Sequence, residues 1–323
     1  MFHTPSSVGA SVLNGCRLCP RQCGVDRAAD VRGFCGAGMA PRIYRYGLHD
    51  GEEPPVSGTR GSGTVFFSHC TMRCIYCQNH PWSQGDRGTD YTVTGLADIL
   101  RGLHAQGCHN WNLVSPTPWL PQIHEALALL RDDGVSLPVV YNTSSFDRPD
   151  VLAEYSDDVD IYLADLRYAT TSAAEAGSAC PGYPEAARAA VQEMWRQKGP
   201  LVLDAHGQAV RGVIVRLLVL PGRADEAIKN LHWLADAFGT DLTLSLMSQY
   251  LPAFEAGTAP WNRRVRADEY GPVCAALEML GFERGWVQEL EEEPAEHLVG
   301  YQMSPDGETA IECACPTQAQ LRR

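Results

Sequence analysis

Cys70, Cys74 and Cys77 lie in the run Ser68-His69-Cys70-Thr71-Met72-Arg73-Cys74-Ile75-Tyr76-Cys77, a C-x3-C-x2-C spacing directly after the apolar run Thr64-Val65-Phe66-Phe67. Three thiolates on so short a loop can hold three irons of a [4Fe–4S] cluster and leave the fourth iron without a protein ligand. An open metal position suits a reactive site, whereas full ligation suits electron transfer or structure. A zinc knuckle and three unrelated cysteines are the alternatives. Zinc usually takes a fourth ligand close by, and the strand-then-loop context argues against chance.

A second set, Cys16-x2-Cys19-x3-Cys23-x11-Cys35, precedes it. Four thiols in one short segment predict a single metal centre with no vacancy, either structural Zn2+ or a second [4Fe–4S] cluster. Cys313 and Cys315 sit in a terminal tail to which the sequence assigns no role.

These cysteines need elements to position them. Short apolar, β-branched runs near 64–69, 110–115, 138–143, 159–166, 212–220 and 241–248 alternate with amphipathic stretches near 94–106, 119–132, 184–198, 224–238 and 267–280. Such alternation implies an α/β fold, a parallel sheet covered by helices, with functional groups at the carboxyl ends of the strands. A partial barrel and an open doubly wound sheet both satisfy the periodicity. Residues 1–60 read as an irregular Cys-rich module, 61–290 as the βα body and 291–323 as a tail, either a lid or a disordered end. Residues 200–211 predict a small hairpin insertion turning at Ala205-His206-Gly207.

The net charge of −13 over 323 residues, from 39 acidic against 26 basic side chains, repels phosphate backbones, so no nucleic-acid partner is expected. The sequence has neither an 18-residue apolar run nor the pattern of a signal peptide. No membrane partner is expected and the expected location is cytoplasmic, where twelve cysteines argue for metal binding over disulfides.

C-x3-C-x-aromatic-C after the first strand resembles the signature of radical S-adenosylmethionine (SAM) enzymes. Gly51-Glu52-Glu53-Pro54-Pro55, Cys77-Gln78-Asn79-His80, Asn112–Thr117, Tyr141-Asn142-Thr143-Ser144 and Met247-Ser248-Gln249-Tyr250 extend the likeness to the pyruvate formate-lyase activating-enzyme-like, PflX-type iron–sulfur proteins. The likeness covers roughly residues 16–290. It implies a partial (β/α)6 barrel, a [4Fe–4S] cluster on Cys70, Cys74 and Cys77, and SAM on the open iron. It also implies a reductant such as flavodoxin or ferredoxin, and a 5′-deoxyadenosyl radical that takes a hydrogen from a substrate carbon.

The resemblance places Tyr76 against adenine. Ser115 and Thr117, in Ser115-Pro116-Thr117-Pro118, stand where many relatives carry an acidic motif for the methionine amino group. Asn142 and Ser144 offer polar groups to ribose or carboxylate, though such a run also caps helices. Asp165 and Arg167, two residues apart on the fourth strand, share a face and match the Asp-Leu-Lys of relatives. Arg216, a lone charge in an apolar strand, needs an anion: the SAM carboxylate or Asp165. Ser248, Gln249 and Tyr250 are expected at the mouth as substrate contacts.

Cys108, ahead of the second strand, is expected at the bottom of the barrel, and Cys274 as helix packing. Cys180, in the loop after the fourth strand, is expected on the reactive face. A thiol there could return a hydrogen atom to a carbon radical, the step a radical epimerase needs. The expected substrate is therefore a small molecule, carbohydrate-type, with C–H modification or epimerisation as the reaction. The alternative is activation of a glycyl radical enzyme, which would then be the partner.

Overall fold

The computed structural model describes residues 12–290, 300–304, 307–311 and 318–320. Its strands are β1 (Arg42–His49), β2 (Ser62–Phe67), β3 (Thr89–Asp90), β4 (Trp111–Val114), β5 (Val139–Thr143), β6 (Ile161–Asp165), β7 (Val202–Leu203), β8 (Ala209–Leu218), β9 (Thr243–Met247), β10 (Gly285–Gln288), β11 (Gly300–Ser304), β12 (Gly307–Ile311) and β13 (Gln318–Gln320). The helices are α1 (Pro54–Ser57), α2 (His80–Ser83), α3 (Val93–Ala105), α4 (Leu120–Asp132), α5 (Pro149–Glu154), α6 (Thr171–Ser178), α7 (Tyr183–Lys198), α8 (Ala224–Phe238) and α9 (Ala267–Met279).

The main sheet runs β13-β10-β9-β8-β6-β5-β4-β2-β1-β3, with β7 paired beside β8. From β2 to β10 every neighbouring pair is parallel. These strands follow chain order without reversal. A doubly wound sheet reverses at a switch point; here all crossovers run one way, so the helices share one face and the sheet curls into a partial barrel. The barrel resolves the choice that periodicity left open, and it carries one more parallel strand, β10, than the six expected.

The parallel strands are buried on both faces; β2 and β9 are buried at every position. Inside the barrel, Val140, Ile161, Leu163 and Ile214 pack on Val56 of α1. Outside, helices lay amphipathic faces on the strands. α3 buries Leu96, Ala97, Ile99, Leu100 and Leu103 and starts at Thr92, whose hydroxyl accepts from Gly95 N at 3.0 Å. The hairpin expected near residue 206 is the β7–β8 connection, closed by Asp204 N on Gln208 O at 2.8 Å.

Two boundaries differ from the sequence reading. Residues 42–49 are not irregular: β1 pairs antiparallel along β2 and at its start with β3, and its half-exposed residues conceal it in the sequence. In the tail, β13 pairs with β10 and β11 with β12, so these residues form strands rather than a disordered end. Gly300 opens β11 with φ +136°, and a Cβ there would fall 2.6 Å from Gln78 Cβ, so this backbone lies against the cysteine loop. Cys313 and Cys315 lie outside the described residues. Among the described residues no helix is long and apolar enough to cross a membrane.

Candidate active site

The carboxyl ends of the parallel strands enclose a cavity of about 260 Å3. Register explains which side chains reach it. Phe66, Val114 and Asn142 are consecutive cross-strand partners, as are Asp165, Arg216 and Ser245, so each set points to one face. That face is the inside of the barrel. Cys70, Cys74 and Cys77 line the same cavity from the loop after β2. His69 (φ +70°), Ser115 (φ +58°) and Ser145 (φ +61°) all adopt left-handed backbone just beyond β2, β4 and β5. Such strain in non-glycine residues gathers where a fold holds backbone for a purpose.

Each thiol of the loop has a donor beside it. Ser178 Oγ donates to Cys74 Sγ at 2.9 Å, and Arg167 Nη1 approaches the same sulfur at 3.6 Å. Ser83 Oγ lies 3.1 Å from Cys77 Sγ, and Met72 N donates to Cys70 Sγ at 3.4 Å. Burial, with Cys74 and Cys77 adding repulsion, pushes the Cys70 thiol up to about 12; burial and Cys74 push Cys77 up to about 11. A bound cation would reverse both effects. As the side chains stand, no group of three or more His, Cys, Asp or Glu among the described residues is arranged to hold a metal ion.

Arg167 donates to Asp165 Oδ2 at 2.5 Å, so the same-face pair read from the sequence forms. Arg167 Nε stays buried without a partner, as does Asn79 Oδ1. Both residues line the cavity. The wall therefore offers an orphan donor on a cation and an orphan acceptor. Tyr76 also lines it, stacked on Trp261 at 5.3 Å between centroids and 11° between planes. Its hydroxyl meets Tyr168 at 2.6 Å, and Tyr168 continues to Ser178 at 2.7 Å, which closes a chain back to Cys74.

Of the residues singled out in the sequence, Ser115, Asn142, Ser144, Asp165, Arg167, Arg216, Gln249 and Tyr250 line this cavity with Tyr76 and the three cysteines. Thr117, Ser248 and Cys180 are not among the lining residues. Thr117 turns outward and donates to Asp147 Oδ1 at 2.7 Å. Ser248 Oγ donates to Glu289 O at 2.9 Å. Cys180 is 1 % exposed, at the turn between α6 and α7. Burial and nearby Cys74 push its thiol up to about 11 against the pull of Arg21. It thus lies behind the cysteine loop, because α6 fills the loop after β6 and carries Cys180 back under it.

Arg216 has a partner the sequence reading did not name. It donates to Glu53 through Nε at 2.8 Å and Nη2 at 2.5 Å, and Nη2 also pairs with Glu52. Asn112 Nδ2 donates to Glu52 Oε1 at 2.6 Å and Asn142 Nδ2 at 3.3 Å. The segment before α1 therefore enters the barrel and forms the floor of the cavity. Burial works against the Glu52 charge, yet Arg216 holds its carboxyl below the ordinary value. The requirement that a buried arginine find an anion was legible; the choice of anion, about 160 residues away, was not.

Burial pushes the thiol of Cys19, in the N-terminal set, up to about 12, and Cys35, Cys16 and Cys23 raise it further. Cys23 is exposed and the other three are half-buried. Arg21 locks this module to the loop of Cys70, Cys74 and Cys77. Its guanidinium sits 3.7 Å over the Phe34 ring and donates to Thr71 O at 3.3 Å and Ala179 O at 3.2 Å. Cys108 is buried next to the start of β2, and Cys274 lies within α9.

No family model matches the chain. An uncharacterized protein of Methanocaldococcus jannaschii, MJ0674, is 25 % identical over 272 residues, covering 81 % of this chain and 74 % of its own length. Among solved structures, Streptococcus suis SuiB bound to S-adenosylmethionine aligns with TM-score 0.45 and 9 % identity over 68 % of this chain and 48 % of SuiB. SuiB bound to its precursor peptide SuiA aligns with TM-score 0.43 and 8 % identity over 68 % and 46 %. The chain thus spans about half the length of the SuiB chains it matches.

Proposed function

We propose that this chain is a radical SAM enzyme acting on a C–H bond of a small polar molecule. The observation that carries the reading is the meeting of Cys70, Cys74 and Cys77 with the Asp165–Arg167 pair in one cavity at the carboxyl ends of parallel barrel strands. The donor set fits a [4Fe–4S] cluster: thiols only, three of them, on one short loop. The orphan atoms fit the methionine end of SAM, since Arg167 Nε can donate to a carboxylate and Asn79 Oδ1 can accept from an ammonium. Bound together, cluster and SAM would supply an electron and a 5′-deoxyadenosyl radical, which takes a hydrogen atom from a substrate carbon.

The chain's own residues bind, orient and exclude water. Cys70, Cys74 and Cys77 would hold the cluster. Ser178 and Arg167 steady the Cys74 sulfur, while Tyr76 on Trp261 supplies an aromatic wall for adenine. Ser115, Asn142 and Ser144 add polar groups along the same wall. Gln249 and Tyr250 stand on the β9 side, and the placement of Gly300 on Gln78 supports a tail that covers the loop.

Epimerisation rested on Cys180 as a hydrogen donor. With that thiol outside the cavity lining, the reading retains hydrogen abstraction from a small molecule and assigns no returning group. Cys16, Cys19, Cys23 and Cys35 would hold a second metal centre beside the cluster loop. The test is anaerobic reconstitution with iron and sulfide, then electron paramagnetic resonance of the reduced protein with and without SAM. A cluster signal that changes on adding SAM is expected. A signal indifferent to SAM would remove the open-iron assignment.

A further inference from the structure

Two turns at the rim of the cavity share one support. The turn after β4 presents Ser115, the end of β5 and its turn present Thr143 and Ser144, and all three residues line the cavity. Each turn holds a non-glycine residue in left-handed backbone, Ser115 at φ +58° and Ser145 at φ +61°. Local preference opposes both conformations, so the surroundings must impose them. What the two turns have in common is Asp147. Its Oδ1 accepts from Thr117 Oγ1 at 2.7 Å and from Tyr141 Oη at 3.1 Å, and its Oδ2 accepts from Thr143 Oγ1 at 2.6 Å. Thr143 Oγ1 in turn accepts from Ser145 N at 3.1 Å. Thr117 belongs to the first turn, Thr143 and Ser145 to the second, and one carboxylate joins them.

The residue type follows from the donors. Three hydroxyls each spend their single hydrogen here, and an ionised carboxylate is an acceptor only. The arrangement is costly. Asp147 is 1 % exposed, and among the described residues its carboxylate meets hydroxyls and no cation. Burial pushes its carboxyl above the ordinary value, against the pull of those hydroxyls. Apolar side chains would fill such a space at less expense if packing were the only requirement. Asp147 is not itself among the cavity-lining residues.

We propose that Asp147 is a positioning residue, which couples the turns after β4 and β5 so that Ser115 and Ser144 are held together toward one bound molecule. The radical SAM reading supplies only the identity of that molecule. The coupling of the two turns rests on the hydroxyl bonds alone.

Two measurements on the anaerobically reconstituted full-length protein test it. Amide hydrogen exchange needs no ligand. Asp147→Asn should speed exchange in residues 115–120 and 143–147 together, and Thr117→Val should speed it in 143–147 by about fivefold, the worth of one hydrogen bond. Calorimetric titration with SAM then asks whether the coupling reaches the cavity. Asp147→Ala should weaken SAM by about tenfold, and Asp147→Asn, which keeps an acceptor in a side chain of the same shape, should recover much of the loss. Thr117→Val should weaken SAM although its own side chain lies outside the cavity lining. Faster exchange confined to the substituted turn would overturn the proposal. So would unchanged SAM affinity in Asp147→Ala and Thr117→Val, since a merely structural role lowers stability without moving affinity. If Asp147→Ala does not fold, Thr117→Val decides both measurements. A wild type that fails to bind SAM while the two turns still exchange together would count against the radical SAM reading and leave the coupling standing, so the two fail separately.

Discussion

The molecule carries two sets of cysteines, and the fold sets them in different surroundings. Cys70, Cys74 and Cys77 occupy the wall of a cavity, on a loop that a parallel strand delivers to the barrel mouth. Cys16, Cys19, Cys23 and Cys35 belong to a segment wrapped on the outside of that loop, with Cys23 exposed. Three thiols lining a cavity leave room for chemistry, whereas none of the four N-terminal thiols lines it. Spacing sets the number of ligands; only the fold sets what stands opposite them. The two regions touch through Arg21, Phe34 and Arg73, whose guanidinium donates to Phe34 O at 3.0 Å.

The comparison can be broken most sharply by substitution of one set at a time. Cys70→Ala/Cys74→Ala/Cys77→Ala should lose SAM-responsive cluster signals completely yet retain metal, measured by elemental analysis. A metal-free variant would refute a separate N-terminal centre. Next in size is Arg216→Met, which strands two buried carboxylates. It should lower stability by about 3–5 kcal/mol in denaturant titration, the usual cost of breaking a buried ion pair from one side. Arg21→Ala removes a ring contact and two hydrogen bonds at the seam, for about 1–2 kcal/mol. Its loss should show first as faster amide exchange in residues 16–36, and uniform exchange across the chain would deny the seam.

The smallest expected effect is on the cluster itself. Ser178→Ala removes the donor to Cys74 Sγ. A sulfur hydrogen bond favours the more negative, reduced state, so its loss should lower the reduction potential by about 40 mV, the equivalent of roughly 1 kcal/mol for one electron. An unchanged potential would mean that this bond does not bear on the cluster.

Much of the barrel was legible because parallel strands and their helices carry strong local patterns: Val139–Thr143 and Ala224–Phe238 could be read from periodicity alone. Strand β1 escaped because its exposed alternation, with Arg42 and Arg45 in it, resembles a polar loop. At the site, Asp165 and Arg216 line the cavity because period two determines their face, and Arg167 joins them from just past the end of β6. Those whose direction depends on a turn, Thr117, Ser248 and Cys180, are not among the cavity-lining residues. Turns re-aim side chains without a sequence period to announce it. Glu52 and Glu53 lie in a run that sequence reading used only as a mark of likeness. Their pairing with Arg216 is a long-range contact that no local pattern encodes.

The central claim is that the cavity-facing triplet, and not the N-terminal set, carries the reactive site. The direct measurement is 5′-deoxyadenosine formed from SAM under reducing, anaerobic conditions by the wild type, by Cys74→Ala and by Cys19→Ala/Cys23→Ala. The account predicts product from the wild type, none above background from Cys74→Ala, and SAM cleavage retained in the folded N-terminal variant. Cleavage at the wild-type rate by Cys74→Ala, or its loss only in the N-terminal variant, would contradict it.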